Sequence, residues 1–180
     1  MEETGDENCP NRDLRDMQMS FADLSGTNLV FSWLERANLT RANLSGAEMG
    51  NCRMEQVQLM GANLIGTNLS WASMNNSNLT LADLRDANLC AANLHQAILK
   101  GANLPGANLE RANLMGADLS GANLERANLT GADLSGANLE RANLVGASLY
   151  AAKLRETNFG QGMYSATLTG TIMPDGTIHD

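Results

Sequence analysis

The side chains that could do chemistry are few and scattered. The histidines are His95 and His179. Nucleophilic catalysis sets a base within hydrogen-bond reach of a Ser, Thr or Cys, and neither histidine belongs to a recognisable motif of that kind. Cys9, Cys52 and Cys90 are an odd number at wide spacing, so they build neither a disulfide framework nor a zinc site. Glu35 and Glu55 are carboxylates that, set close together, could share a cation or raise a pKa. The remaining group recognises rather than reacts. Phe31, Trp33 and Trp71 stand out, with Arg53 among them, in a chain that is only 4% aromatic. Aromatics and Arg are enriched where proteins meet. With neither a cofactor motif nor a nucleophile–base pair in view, the expectation is no catalytic residue, no cofactor and no metal.

What positions these residues is a repeat. From Leu14 to Tyr164 a large apolar residue recurs at every fifth position, 31 in succession and 25 of them Leu. The others are Met19, Met49, Met54, Met74, Phe159 and Tyr164. Two residues before this centre stands Ala in 21 cases, and one residue before it stands Asn or Asp in 21. A period of five suits no helix, because at about 100° per residue successive Leu side chains would smear around it. It suits no flat strand either, because an odd period alternates faces. Ala and the centre, two apart, do share a face. The chain must therefore turn once per repeat, at the two residues after each centre. These are often Ser-Gly, Met-Gly or Thr-Gly, and once Pro105-Gly106. Pro then Gly fits the central positions of a type II turn. The spacing predicts a coil with short faces, Ala and Leu inside and the turn residues at the corners.

The body of the chain is almost neutral. Its 180 residues carry a net charge of -8, from 12 Lys+Arg against 20 Asp+Glu. Residues 1–10 hold four acids and no base, and 165–180 add Asp175 and Asp180, which leaves -2 for 11–164. Clustered Lys and Arg are missing, which argues against a nucleic-acid partner. No run of roughly 18 apolar residues is present, so no membrane span is expected. The acidic first twenty residues lack the basic start and apolar stretch of a signal peptide. A reduced, cytoplasmic compartment is the expectation.

The A-(N/D)-L-x-x repeat, sustained at least over 22–159, resembles the pentapeptide-repeat family. The run from Gly170 to Asp180 resembles the ending of several cyanobacterial members. The resemblance implies an all-β fold, a right-handed quadrilateral parallel β-helix with four repeats per coil and about eight coils. It divides the chain into an acidic, disordered tail at 1–11, a β-helix at 12–164 and a cap and tail at 165–180. The first two repeats are expected to be capping or distorted, because Arg12 and Met17 occupy inward small-residue positions. The C-terminal cap is phase-shifted, because Ala166-Thr167-Leu168 arrives one residue early. A non-enzymatic scaffold for protein–protein interaction is implied. Its partner is an unidentified protein, with neither nucleic acid nor membrane, and its oligomeric state is open with a monomer slightly favoured. The alternative is the family's DNA mimicry, which is aimed at a type II topoisomerase such as DNA gyrase. The near-neutral body, and the lack of a C-terminal helical pattern for dimerisation, rank that alternative second.

Four repeats per coil would stack residues twenty apart. Glu35 and Glu55 then share a column and read as solvated, with Arg15 near Glu35. Phe31 and Trp71 share another column, two coils apart, with Asn51 between them. Trp33 stacks on Arg53, as a cation–π pair. Cys52 points inward and reads as core. In the near-identical stretch 106–150, Glu110, Glu125 and Glu140, with Arg111, Arg126 and Arg141, spiral around the rod as solvated corners worth little individually. The candidate partner-binding residues are Phe31, Trp33, Arg53 and Trp71. A competing reading makes these aromatics a cap over the N-terminal coil.

Overall fold

The computed structural model describes residues 10–159, 166–173 and 175–179. Its organising feature is a parallel register of twenty. Asp13 pairs with Trp33, Trp33 with Arg53 and Arg53 with Ser73, and the same column runs on to Lys153. Three further columns, begun by Gln18, Asp23 and Asn28, repeat the pattern. Most of these pairings are single rungs. Two of the described segments are long enough to be strands, β1 (Asn138–Leu139) and β2 (Asn158–Phe159), and they pair in parallel. No helix occurs among the described residues.

The repeat accounts for each of its own backbone donors, as the unit 107–111 shows. The Ala107 N–H donates to Leu104 O at 3.1 Å and closes the preceding corner. The Asn108 N–H reaches back to Ala87 O at 2.9 Å. The Leu109 and Arg111 N–H groups reach forward, to Asn128 O at 2.7 Å and Thr130 O at 2.9 Å. The fifth donor, Glu110 N–H, lies on the corner where no coil can serve it, and Asn108 Oδ1 accepts it at 3.1 Å. Buried main-chain polar groups need partners, and Asn before each Leu supplies the one that stacking cannot. The Asn108 side chain also donates from Nδ2 to Asn88 Oδ1 at 3.3 Å, while Asn128 Nδ2 donates to Asn108 Oδ1 at 3.1 Å. The same amides thus form ladders up the outside.

The second residue of each corner adopts the left-handed backbone conformation. Gly106, with φ of 68°, fits without strain, and its preceding Pro105 completes the turn closed by Ala107. Inside, every centre from Leu29 to Leu154 is essentially inaccessible, including Leu104, Leu109, Leu114 and Leu119 around one turn of the chain. Several polar inward residues bond to the backbone, whereas the buried Ser77 hydroxyl has no hydrogen-bond partner. Thr67 Oγ1 donates to Leu44 O at 2.7 Å, and Cys52 Sγ to Leu29 O at 2.8 Å. Burial pushes the Cys52 thiol up to about 11, which fits a packed core residue and not a reactive thiol.

The two ends differ. At the N-terminal end Asp13 and Gln18 keep the register of twenty, although Met17 is half exposed. Of the tail expected at 1–11, residues 1–9 lie outside the described residues. At the other end Ser148 pairs with Thr167 and Lys153 with Ile172, nineteen apart instead of twenty. The chain then reverses, and Ile178 pairs antiparallel with Ile172.

Candidate interaction surface

The corner that follows Leu29 carries Val30 and Phe31, and the corner two turns further along carries Ser70 and Trp71. Phe31 and Trp71 both take the left-handed second position, each with φ of 60°. Left-handed geometry costs a side-chain-bearing residue roughly 1–2 kcal/mol, a cost that Gly avoids. Both rings nonetheless face solvent, at 52% and 66% exposed. Trp33 stands on the adjoining face, 42% exposed, in the rung between Asp13 and Arg53. Trp33 and Arg53 are adjacent rungs of one column, Phe31 and Trp71 lie two coils apart on one corner, and all four are accessible.

The charges around this edge are arranged differently from the sequence expectation. The cation over the Trp33 ring is Arg15, with Cζ 4.8 Å from the ring centroid. Arg53 turns instead to Glu35, with Nη2–Oε1 at 2.9 Å. Glu35 is not solvated. It is 7% exposed, because Arg53 reaches across the corner to pair with it. The second oxygens, Oε2 of Glu35 and of Glu55, are buried with no hydrogen-bond partner. Arg15 also grips Asp13 through two contacts, 2.8 Å from Nε to Oδ1 and 2.6 Å from Nη2 to Oδ2. That pairing holds the Asp13 carboxyl down at about 2. Arg36 clamps Asp16 in the same way and lowers it too.

A second apolar strip escaped the sequence reading in part. Phe21, Met60, Leu81 and Ile98 are all well exposed, Phe21 at 70% and Leu81 at 67%. Phe21 and Leu81 share one corner column, with Arg41 5.9 Å from the Phe21 ring centroid. The signal was available, since Leu81 is a bulky residue at a corner position where Gly is frequent. By contrast, Glu110, Glu125 and Glu140 meet their neighbouring Arg residues only loosely, at 3.7, 3.8 and 3.9 Å, on exposed corners. His95 is half-buried at a corner. Among the described residues, no group of three or more His, Cys, Asp or Glu side chains gathers to hold a metal.

The profile of the family described as pentapeptide repeats matches eight copies, in segments that run from residue 11 to residue 161. The chain is a pentapeptide-repeat protein. Solved structures similar to this pentapeptide-repeat protein include HetL from the cyanobacterium Nostoc sp. strain PCC 7120, a pentapeptide-repeat protein involved in heterocyst differentiation regulation. The two are 29% identical over 97% of this chain and 94% of that one, with a TM-score of 0.33. A pentapeptide-repeat protein from the cyanobacterium Cyanothece 51142 is also 29% identical, over 86% of this chain and 92% of that one, with a TM-score of 0.21. Full-length QnrB1, a plasmid-mediated fluoroquinolone resistance protein, is 19% identical over 91% of this chain and 92% of that one, with a TM-score of 0.40. No curated protein matches the chain.

Proposed function

We propose that this pentapeptide-repeat protein is a non-enzymatic, cytoplasmic scaffold that binds a protein partner through Phe31, Trp33, Arg53 and Trp71. Its body is a right-handed quadrilateral β-helix of about eight coils, on the order of 35–40 Å long at the usual strand spacing. The register of twenty supports this, since four five-residue faces make one coil. The observation that carries the functional reading is the placement of Phe31 and Trp71. Each takes a left-handed backbone that favours Gly, and each leaves a large apolar ring in water. Neither ring adds to the Leu core, so a contact is the use that remains for them. The test is capture of a partner from the native host by the wild type, compared with a Trp33→Ala and Trp71→Ala double variant. Loss of a specific partner in the variant supports the surface. Equal capture by both excludes it.

A DNA-like rod that engages a type II topoisomerase would need uncompensated acids along its length. Here Asp13, Asp16, Glu35, Asp83 and Asp133 are each paired with an Arg or a Lys. Purified DNA gyrase in a supercoiling assay separates the two readings. Inhibition at stoichiometric amounts would reverse their order.

A further inference from the structure

Among the described residues, the N-terminal end of the solenoid is an open edge. In every later coil, the residue before each Leu directs both its N–H and its C=O at the coil before it. Asn38 is an example: its N–H donates to Met17 O at 2.8 Å and its C=O accepts from Met19 N at 2.8 Å. Asp13, Gln18, Asp23 and Asn28 hold the same position in the first coil. Their main-chain N–H and C=O groups have no partner among the described residues. The apolar floor is open as well. Leu14, Met19 and Leu24 are only partly buried and Met17 is half exposed, whereas Leu34, Leu39 and Leu44 one coil further in are fully covered. The opposite end is different, since the outer edge of Ile172 is already taken by Ile178.

We propose that this end is a docking surface for a second copy of the chain, joined end to end about a two-fold axis. The inference does not depend on the aromatic surface. A two-fold across the rod axis sets the open strands antiparallel. A residue that presents N–H and C=O on one side can then exchange both bonds with a residue of the other copy. Four such residues lie at the N-terminal end of each copy, one per face. Their side chains are complementary to themselves, two acids (Asp13, Asp23) and two amides (Gln18, Asn28). An axis through a corner places each acid opposite an amide. That repeats across the joint a bond already made within the chain, where Asn43 Nδ2 donates to Asp23 Oδ1 at 2.9 Å. Met17, Met19 and the neighbouring Leu side chains meet at the centre of the joint. Because both copies use the same edge about a two-fold axis, the assembly closes at two copies and does not grow into a fibre.

The test is sedimentation equilibrium over a concentration series into the sub-millimolar range, with small-angle scattering alongside. The expected result is a twofold rise in mass and a rod of about twice the length. Gln18→Asp combined with Asn28→Asp surrounds the joint with carboxylates. It leaves the internal acceptors in place, as Asp23 already shows for Ser25 N and Asn43 Nδ2. That variant should stay at one chain with an unchanged melting curve. Gln18→Pro combined with Asn28→Pro removes two N–H groups used only across the joint and should also stay at one chain. It should melt somewhat earlier, because Asn38 Nδ2 and the Val30 N–H lose their acceptors, Gln18 Oε1 and Asn28 Oδ1. A wild type that stays at one chain throughout overturns the proposal, as does association of both variants equal to that of the wild type. If a chain beginning at Pro10 associates and the full chain does not, residues 1–9 occupy the edge and the second copy does not.

Discussion

Asn108 and Leu109 divide the work of the repeat between them. Leu109 fills the interior, and Asn108 serves the one corner N–H that the stacked coils leave over. Truncating Leu109 to Ala removes buried methyl groups and leaves a cavity in a ladder that cannot collapse easily. The expected loss is about 2–5 kcal/mol in a denaturation experiment. Leu109→Asp should be worse, since a carboxylate would sit unpaired among Leu side chains. At the surface, Asp13 is held at about 2 by its hydrogen bonds from Arg15, against 3.8 for a free carboxyl. A folded pKa below the unfolded one gives stability that is fully present above about pH 4 and is lost as pH falls toward 2. Melting curves measured over that window should therefore decline less steeply for Asp13→Asn than for the wild type. An equal decline in both proteins would mean that the Arg15 clamp does not form in solution.

At the scale of the element, the corner and the rung were legible to different degrees. That the chain turns every five residues, with Ala and Leu inside, follows from an odd period and from apolar positions two apart. Pro105-Gly106 even identifies the turn geometry. The register of twenty could not be read from spacing, because spacing does not say how many faces close a coil. The burial of Glu35 was hidden for a related reason. A first corner residue reads as exposed, and only the register brings Arg53 across to cover it. The same logic exposed Trp33 correctly but chose the wrong cation. Arg53 follows Trp33 in its column but is drawn away by Glu35, while Arg15 reaches the ring from the corner after Asp13 and Leu14. Ile98 offers a direct test of the amide's role. It replaces the usual Asn, lies 42% exposed, and leaves the corner N–H of Lys100 without a side-chain acceptor. Ile98→Asn should supply that acceptor and raise stability by about 0.5–1.5 kcal/mol. A lower melting temperature would show that the apolar contacts of Ile98 outweigh the bond.

The whole molecule is a uniform interior wrapped in an uneven surface. From Leu29 to Leu154 the core hardly varies, so it can encode little beyond length and stiffness. On the proposed function, recognition falls to the outward residues, and these are most irregular in the N-terminal half. Phe31, Trp33 and Trp71 are exposed there, with Arg15 over the Trp33 ring and Arg53 paired to a buried Glu35. The central claim is that these aromatics serve a partner and add almost nothing to the fold. Thermal and chemical melting of the Trp33→Ala and Trp71→Ala double variant tests it most directly. Losing the Arg15–Trp33 contact removes about 0.5–1 kcal/mol, and nothing else of consequence should be lost. The account predicts a cooperative transition within about 1 kcal/mol of the wild type. A loss of about 3 kcal/mol or more would instead mark the rings as a cap over the first coils, and would contradict the claim.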